Sequence, residues 1–270
     1  MTLKRMLKSS HRFWSRRRQE TPSPSPSEGP SLPTVQLDHP GPPIWLYATS
    51  DMERRERARA CVKEPWTAEW IETQIRHGEV LYDIGANVGV FSLLAAKRCE
   101  NDITVVAFEP AYASYARLCD NILLNRCEAA IIPVPLVLSS SNGLVGFTYR
   151  SREPGESRHR LREAWRARRQ RKPGARYEQP SLATKLDDVI QRYGLPVPHH
   201  IKVDVDGWEL HVLEGAQAVL RQPTLRSLMI EVQDTLVRPV TDLLAAAGCI
   251  PEARYQRKLR SPLYIRFHRR

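Results

Sequence analysis

Val80-Leu81-Tyr82-Asp83-Ile84-Gly85-Ala86-Asn87-Val88-Gly89-Val90-Phe91-Ser92 is the stretch on which the fold turns. A short apolar run ends in an acid and passes through a glycine-spaced turn into a segment of helical period, residues 89–98. Gly85 and Gly89 let the backbone pass close to a ligand and adopt angles that a Cβ resists. The spacing is G-x-x-x-G, not the G-x-G-x-x-G that places a pyrophosphate on a helix N-terminus. Asp83 at the turn disfavours such an anion and suits a cationic ligand.

Outward from this unit, apolar runs and helical segments alternate. Strands are expected at 79–83, 103–108 and 129–137, the last weakened by Pro133 and Pro135, with an extra hairpin strand at 144–149. Helices are expected at 112–125, at 184–193 ending on Gly194, at 208–220, and at 236–247 ending on Gly248. Further strands are expected at 200–204, 227–232 and 264–268. Strands separated by helices of this length predict an α/β fold with a doubly wound, mainly parallel sheet, whose ligands bind beyond the carboxyl ends of the strands. The second strand ends in Phe108-Glu109-Pro110, where a carboxylate can accept hydrogen bonds from both hydroxyls of a ribose. Asp83 and Glu109 at consecutive strand ends make one nucleoside site, and S-adenosylmethionine, with its ammonium and sulfonium, fits it.

The chain has 270 residues and a net charge of +11, which alone would suggest a partner such as nucleic acid, anionic lipid or an acidic substrate. The charge is unevenly placed. Residues 1–20 hold seven basic residues and one acid, 150–176 hold eleven and three, and 254–270 hold seven and none, which leaves the rest at −10. The first 18 residues alternate basic and apolar side chains, a pattern for a short helix on an anionic membrane surface or for a solvated tail. Residues 1–43 are expected to be a disordered tail and linker, with eight prolines between 21 and 43, and 44–270 the folded domain with a basic insert at about 150–176. The five cysteines form no C-x-x-C pair, which argues against a zinc site or a disulfide framework and fits a cytoplasmic protein. No apolar run reaches the ~18 residues of a membrane span, nor is there a signal-peptide pattern.

Several blocks together resemble the FkbM family of S-adenosylmethionine-dependent methyltransferases. They are Lys63-Glu64-Pro65, Asp-Ile-Gly-Ala-Asn-Val-Gly at 83–89, Phe-Glu-Pro at 108–110, Asn121 and Asn125 in N-I-x-L-N, and Ile-Lys-Val-Asp-Val-Asp-Gly-Trp-Glu at 201–209. Leu213-Glu214-Gly215 and Ile230-Glu231-Val232 complete the set. The resemblance implies a Rossmann-like class I methyltransferase fold, with Asp83, Gly85, Asn87, Gly89 and Glu109 holding the cofactor. It also implies an O-methyl product on a small molecule or glycan hydroxyl. Ser139, after the third strand, is placed by position in the adenine pocket. Asp206 stands where many relatives have Glu, and residues 150–176 are longer and more basic than in most, which bears on the substrate rather than the cofactor.

Lys202, Asp204, Asp206 and Glu209 form the most reactive-looking cluster, because residues two apart in a strand share a face. A hydroxyl acceptor must lose a proton, and Asp204, then Asp206, are the candidate bases. The same block read structurally is a hydrogen-bonded turn holding the next helix. Glu231 could join the two aspartates around a divalent cation, although no metal site is expected, as no histidine accompanies them. His199, His200 and His211 read as packing or solvent-facing, Asn87 as a cofactor ligand or a helix cap, Asn121 and Asn125 as structural or functional, and Trp208 as a pocket wall or a buried anchor. Two readings of another class remain beside the methyltransferase: a nucleic-acid-binding or RNA-modifying protein using the basic insert, and a membrane-surface scaffold. Oligomeric state is not encoded in any of these features.

Overall fold

The central strand, β3 (Val80–Ile84), is buried along its whole length, because its apolar residues face helices on both sides of the sheet. It pairs in parallel with β4 (Thr104–Phe108) and with β10 (His200–Val203). The computed structural model describes residues 32–163, 165, 177–259 and 261–270. The segment at 1–18, residues 164 and 166–176 of the basic insert, and Arg260 lie outside them.

Seven strands form the main sheet in the order β12-β13-β11-β10-β3-β4-β5. Here β5 is Ile131–Val134, β11 is Ser227–Val232, β12 is Cys249–Gln256 and β13 is Leu263–Arg269. All neighbours from β11 to β5 run parallel, and β13 and β12 close the other edge as an antiparallel hairpin. This is the expected doubly wound, mainly parallel, Rossmann-like α/β architecture. From β3 the chain moves outward through β4 to β5, then returns to β10 and moves the other way, so β3 and β10 flank the switch point at which such sheets bind ligands.

Alternation along the strands divides the core into two layers. Leu81, Val105 and Ile131 face one layer with α2 (Pro65–Gln74), α3 (Val90–Arg98) and α4 (Tyr112–Leu124); α1 (Ala60–Lys63) precedes them. Val80, Tyr82, Val106 and Phe108 face the other. That layer holds α5 (Leu186–Tyr193), α6 (Glu209–Glu214), α7 (Gln217–Leu220) and α8 (Val237–Ala246). Among the described residues no helix is long and apolar enough to cross a membrane.

Three expectations change. The folded region begins before residue 44: β1 (Thr34–Gln36) pairs antiparallel with β2 (Trp45–Tyr47), and the proline-rich stretch is in part a hairpin. Asn121 and Asn125 secure it. Their Oδ1 atoms accept the N–H groups of Tyr47 and Trp45, each at 2.9 Å, so these asparagines are structural. The helix expected at 208–220 is broken in two after Glu214, and Gly215 lies so close to the Ser139 backbone that a Cβ there would lie 2.0 Å from the Ser139 carbonyl oxygen. The strand expected at 129–137 splits after Val134. Pro133 is tolerated because β5 is an edge strand, and the chain then enters β6 (Val137–Leu138), part of a second sheet.

That four-stranded sheet, in the order β6-β9-β7-β8, includes β7 (Gly143–Thr148), β8 (Arg160–Arg162) and β9 (Glu178–Thr184). It packs on a small core of Val137, Val145, Phe147 and Tyr149 and carries the described part of the basic insert over the carboxyl ends of β3, β4 and β10. β12 was not expected, because Pro251 and its charged residues hide the strand period.

Candidate active site

Two cavities meet above the switch point. The first, about 370 Å³, is lined by Gly85 and Asn87 after β3, Glu109 after β4, Asp204 and Asp206 after β10, and Trp208. Phe108, Leu138 and Phe147 make its apolar walls, and His159, Arg160 and Leu161 of the insert line its outer side.

The turn after β3 is held open by unusual backbone. Gly85 has φ +84°, and a Cβ there would lie 1.9 Å from the Asp204 carbonyl oxygen, so the glycine is required by the close approach of the β10 loop. Asn87, at φ 52°, donates from Nδ2 to the Glu156 carbonyl at 2.7 Å and accepts the Val88 N–H at Oδ1 at 2.9 Å. It therefore ties the insert to the helix start while lining the cavity. Glu109 is buried and accepts the N–H groups of Asn87 and Ala111, each at 2.8 Å, one on each oxygen. Burial pushes its carboxyl up to about 7, against the pull of those two backbone donors and Arg57. Each oxygen keeps a lone pair for a ligand hydroxyl.

Three of the expected cofactor residues do not line the cavity. Asp83, 1% exposed, accepts the Ser92 hydroxyl at 2.6 Å and lies 3.6 Å from the Lys202 ammonium. The parallel register that sets Lys202 beside Asp83 makes this contact, so Asp83 supports the site from beneath. Gly89 faces Leu118, 2.5 Å from where its Cβ would be, and serves packing. Ser139 is buried against Gly215, one residue beyond the wall residue Leu138.

Asp204 and Asp206 line both cavities. Asp204 pairs with Lys202 at 3.2 Å. Burial would push the Lys202 ammonium down, but the carboxylates of Asp204, Asp83 and Glu64 outweigh it and hold the group above its usual range. Asp206, at φ 54°, accepts the Arg158 N–H, and burial followed by Asp204 raises its carboxyl. Glu209 accepts the Gly207 N–H at 2.8 Å and secures the turn, its carboxyl pushed up to about 7 by burial. The 201–209 block thus lines both cavities through Asp204 and Asp206 and forms a hydrogen-bonded turn at Gly207 and Glu209.

The second cavity, about 860 Å³, opens beside the first and shares Arg57, His159 and Arg160 with it. Its floor holds Glu64, Glu231 and Tyr264, brought together from the start of α2 and the ends of β11 and β13. Burial followed by the Asp204 charge raises Glu64 to about 7 and Glu231 to about 9, against the pull of the neighbouring Tyr264 hydroxyl. Among the described residues no group of three or more His, Cys, Asp or Glu side chains is arranged to hold a metal ion.

The histidines separate. His199 accepts the Val80 N–H at 3.0 Å, and His200 is buried between Glu79 and Ser227, both at the amino end of the sheet and away from the cavities. His211 stacks on Trp208 with ring centroids 3.9 Å apart, and both line the first cavity. Arg57, Glu64, Glu156 and His159 were given no role from the sequence. His159 accepts the Arg150 N–H at Nδ1 at 3.2 Å, and its buried Nε2 has no partner. Burial, with Arg57 and Arg150 nearby, pushes it down to about 4, so it is a neutral donor at the boundary of the two cavities. A lone histidine within a run of arginines offers no period or spacing that would single it out.

The family model described as the methyltransferase FkbM domain matches residues 83–251. A methyltransferase of Sordaria araneosa, sdnD, is 32% identical over 224 residues, covering 74% of this chain and 83% of that protein. The hexuronic acid methyltransferase AglP of Haloferax volcanii is 28% identical over 170 residues, covering 63% of this chain and 62% of the relative. Among solved structures, the methyltransferase FkbM of Methylobacillus flagellatus superposes with a TM-score of 0.51 at 16% identity, over 73% of this chain and 45% of that one.

Proposed function

The chain belongs to the FkbM methyltransferase family and is a methyltransferase, and from that premise we propose that it moves the methyl group of S-adenosylmethionine to an oxygen of a small molecule or glycan. The observation that carries this reading is the meeting of two cavities at Asp204 and Asp206. The first fits the cofactor on its own residues. Glu109 has a free lone pair on each oxygen for the ribose hydroxyls, Phe108, Leu138 and Trp208 offer flat apolar surface to a base, and Asp204 and Asp206 place negative charge where a cationic sulfonium would lie. Bound there, the cofactor supplies an activated methyl group on sulfur.

In-line displacement requires the acceptor oxygen to approach from the side opposite the sulfur, which the second cavity allows. Asp204 takes the proton of the acceptor hydroxyl as the oxygen–carbon bond forms and the carbon–sulfur bond breaks, with its electron pair left on sulfur. Lys202, 3.2 Å from Asp204, orients that carboxylate from below and is a positioning residue. Asp206 stands beside it as the second base, tethered to the insert through the Arg158 N–H. An oxygen acceptor agrees with AglP, whose name specifies a hexuronic acid. The nucleic-acid alternative is not favoured beside the match to the FkbM methyltransferase domain and to relatives such as AglP, and among the described residues Arg150, Arg158 and Arg160 of the insert line these cavities.

Calorimetric titration of the full chain with S-adenosylmethionine or S-adenosylhomocysteine is expected to show saturable binding. Absence of binding by both would overturn the reading.

A further inference from the structure

The second cavity has two chemically different ends. Its floor is acidic, with Glu64, Asp204 and Glu231, whereas its rim carries the guanidinium groups of Arg57, Arg158, Arg160 and Arg257. The floor acids are largely compensated without the rim. Asp204 is paired with Lys202, and burial raises the carboxyls of Glu64 and Glu231 and so favours their neutral forms. Glu56, also on the wall, is paired with Lys63. The rim arginines are less closely paired. Arg158, Arg160 and Arg257 have no acidic partner within 4 Å among the described residues, and Arg57 spends its Nε–H on the Gly155 carbonyl at 2.7 Å, leaving its terminal nitrogens.

Guanidinium groups crowded on one wall repel one another and are stabilised by an anion that binds between them, in the bidentate geometry suited to carboxylate and phosphate. Arg57 lies where the two ends meet: it lines both cavities, and its charge is felt by Glu64, Glu109 and Asp206. Building on the methyl-transfer reading, we propose that the acceptor is an anionic polyol. Its carboxylate or phosphate is held by Arg57, Arg158, Arg160 and Arg257, while its hydroxyls face Asp204, Glu64 and Glu231. The cavity volume of about 860 Å³ accommodates a sugar acid or sugar phosphate, with room for an aglycone.

The test uses the full chain saturated with S-adenosylhomocysteine, titrated separately with methyl glucuronide, glucose 6-phosphate and methyl glucoside. At least one anionic probe is expected to bind about tenfold more tightly than the neutral one, a difference of about 1.4 kcal/mol, and the preference should shrink as salt is raised. Comparison of the two anionic arms separates carboxylate from phosphate. Arg158→Gln with Arg257→Gln, two residues that line only the second cavity, should remove the preference while S-adenosylhomocysteine binds as before. Equal affinity for all three probes, or no binding of any with S-adenosylhomocysteine still bound, overturns the proposal. Failure of the unmutated chain to bind S-adenosylhomocysteine at all would instead overturn the methyl-transfer reading, and this inference with it.

Discussion

The two cavities share a wall but are built by different physics. The first is made by short-range sequence, with a strand, a turn and a helix start placing Gly85, Asn87 and Glu109 within 25 residues of one another, and backbone N–H groups holding the carboxylate. The second is assembled from segments far apart in the chain: α1 and the start of α2, the insert, the loop after β10, and the ends of β11 and β13. Its parts are brought together by tertiary packing of charged side chains more than by one hydrogen-bonded turn. A site fixed by local backbone can persist while its neighbour changes. On the methyl-transfer reading proposed above, the first cavity would take the cofactor and the arginine-lined cavity would choose the substrate.

If that contrast holds, the largest effect should come where the two cavities are joined. Gly85→Ala places a Cβ against the Asp204 carbonyl and demands a positive φ, so it must displace the β10 loop. A loss of roughly 3 kcal/mol or more in denaturant unfolding is expected, with both cavities impaired. Normal stability for this variant would show that the loop after β10 is not anchored on the glycine turn. Next in size, Glu109→Ala should weaken S-adenosylhomocysteine binding by about ten- to a hundredfold, since hydrogen bonds to a charged group are worth about 1.5–3 kcal/mol. Acceptor-probe affinity measured with saturating S-adenosylhomocysteine should barely change. Equal loss in both measurements would erase the distinction between the cavities.

The same contrast explains what could be read in the chain beforehand. The Val80–Ile84 run, its glycine turn and the acid at 109 are local patterns, and they pointed to the parallel sheet and to the strand ends where the first cavity lies. Asp83 shows the limit: its place at a strand end was legible, but the parallel register that buries it against Lys202 and Ser92, below the cavity, was not. Glu64 stood in a recognisable Lys-Glu-Pro block, yet only tertiary packing brings it to Tyr264 and Glu231. Arg57 and His159 sit in charged stretches with no period, and the fold brings both to the cavity walls.

The pH dependence of stability sharpens the contrast further. Glu64, Glu109 and Glu231 all have folded carboxyls raised above their ordinary value, mainly by burial. The folded chain therefore binds more protons than the unfolded one. Their contribution to stability is complete below the ordinary carboxyl range and declines as pH rises, through about 7 for Glu64 and Glu109 and about 9 for Glu231. Glu231→Gln, which keeps the shape without the charge, should flatten the decline between about pH 7 and 9 by on the order of 1–2 kcal/mol, one pKa unit being worth about 1.4 kcal/mol. Chemical denaturation of both proteins across that range measures it. An unchanged slope would mean that the second cavity's floor is ionised and paired after all.

The smallest effect is expected at the boundary itself. His159 accepts the Arg150 N–H at Nδ1, which leaves the proton of the neutral ring on Nε2, buried and without a protein partner. A ligand that supplies an acceptor there would gain one neutral hydrogen bond, worth about 1 kcal/mol. His159→Phe should keep the ring packing against Phe147 and Tyr149, with centroids 5.2 and 5.1 Å from the histidine ring, and lose only that donor. Affinity for S-adenosylhomocysteine or for an anionic probe should then fall by about fivefold at most. Because the ring stays neutral above about pH 4, that ratio should be constant from about pH 5 to 8. A ratio that grows toward acid pH would assign His159 a positive charge and move it from the shared boundary into the cationic rim of the second cavity.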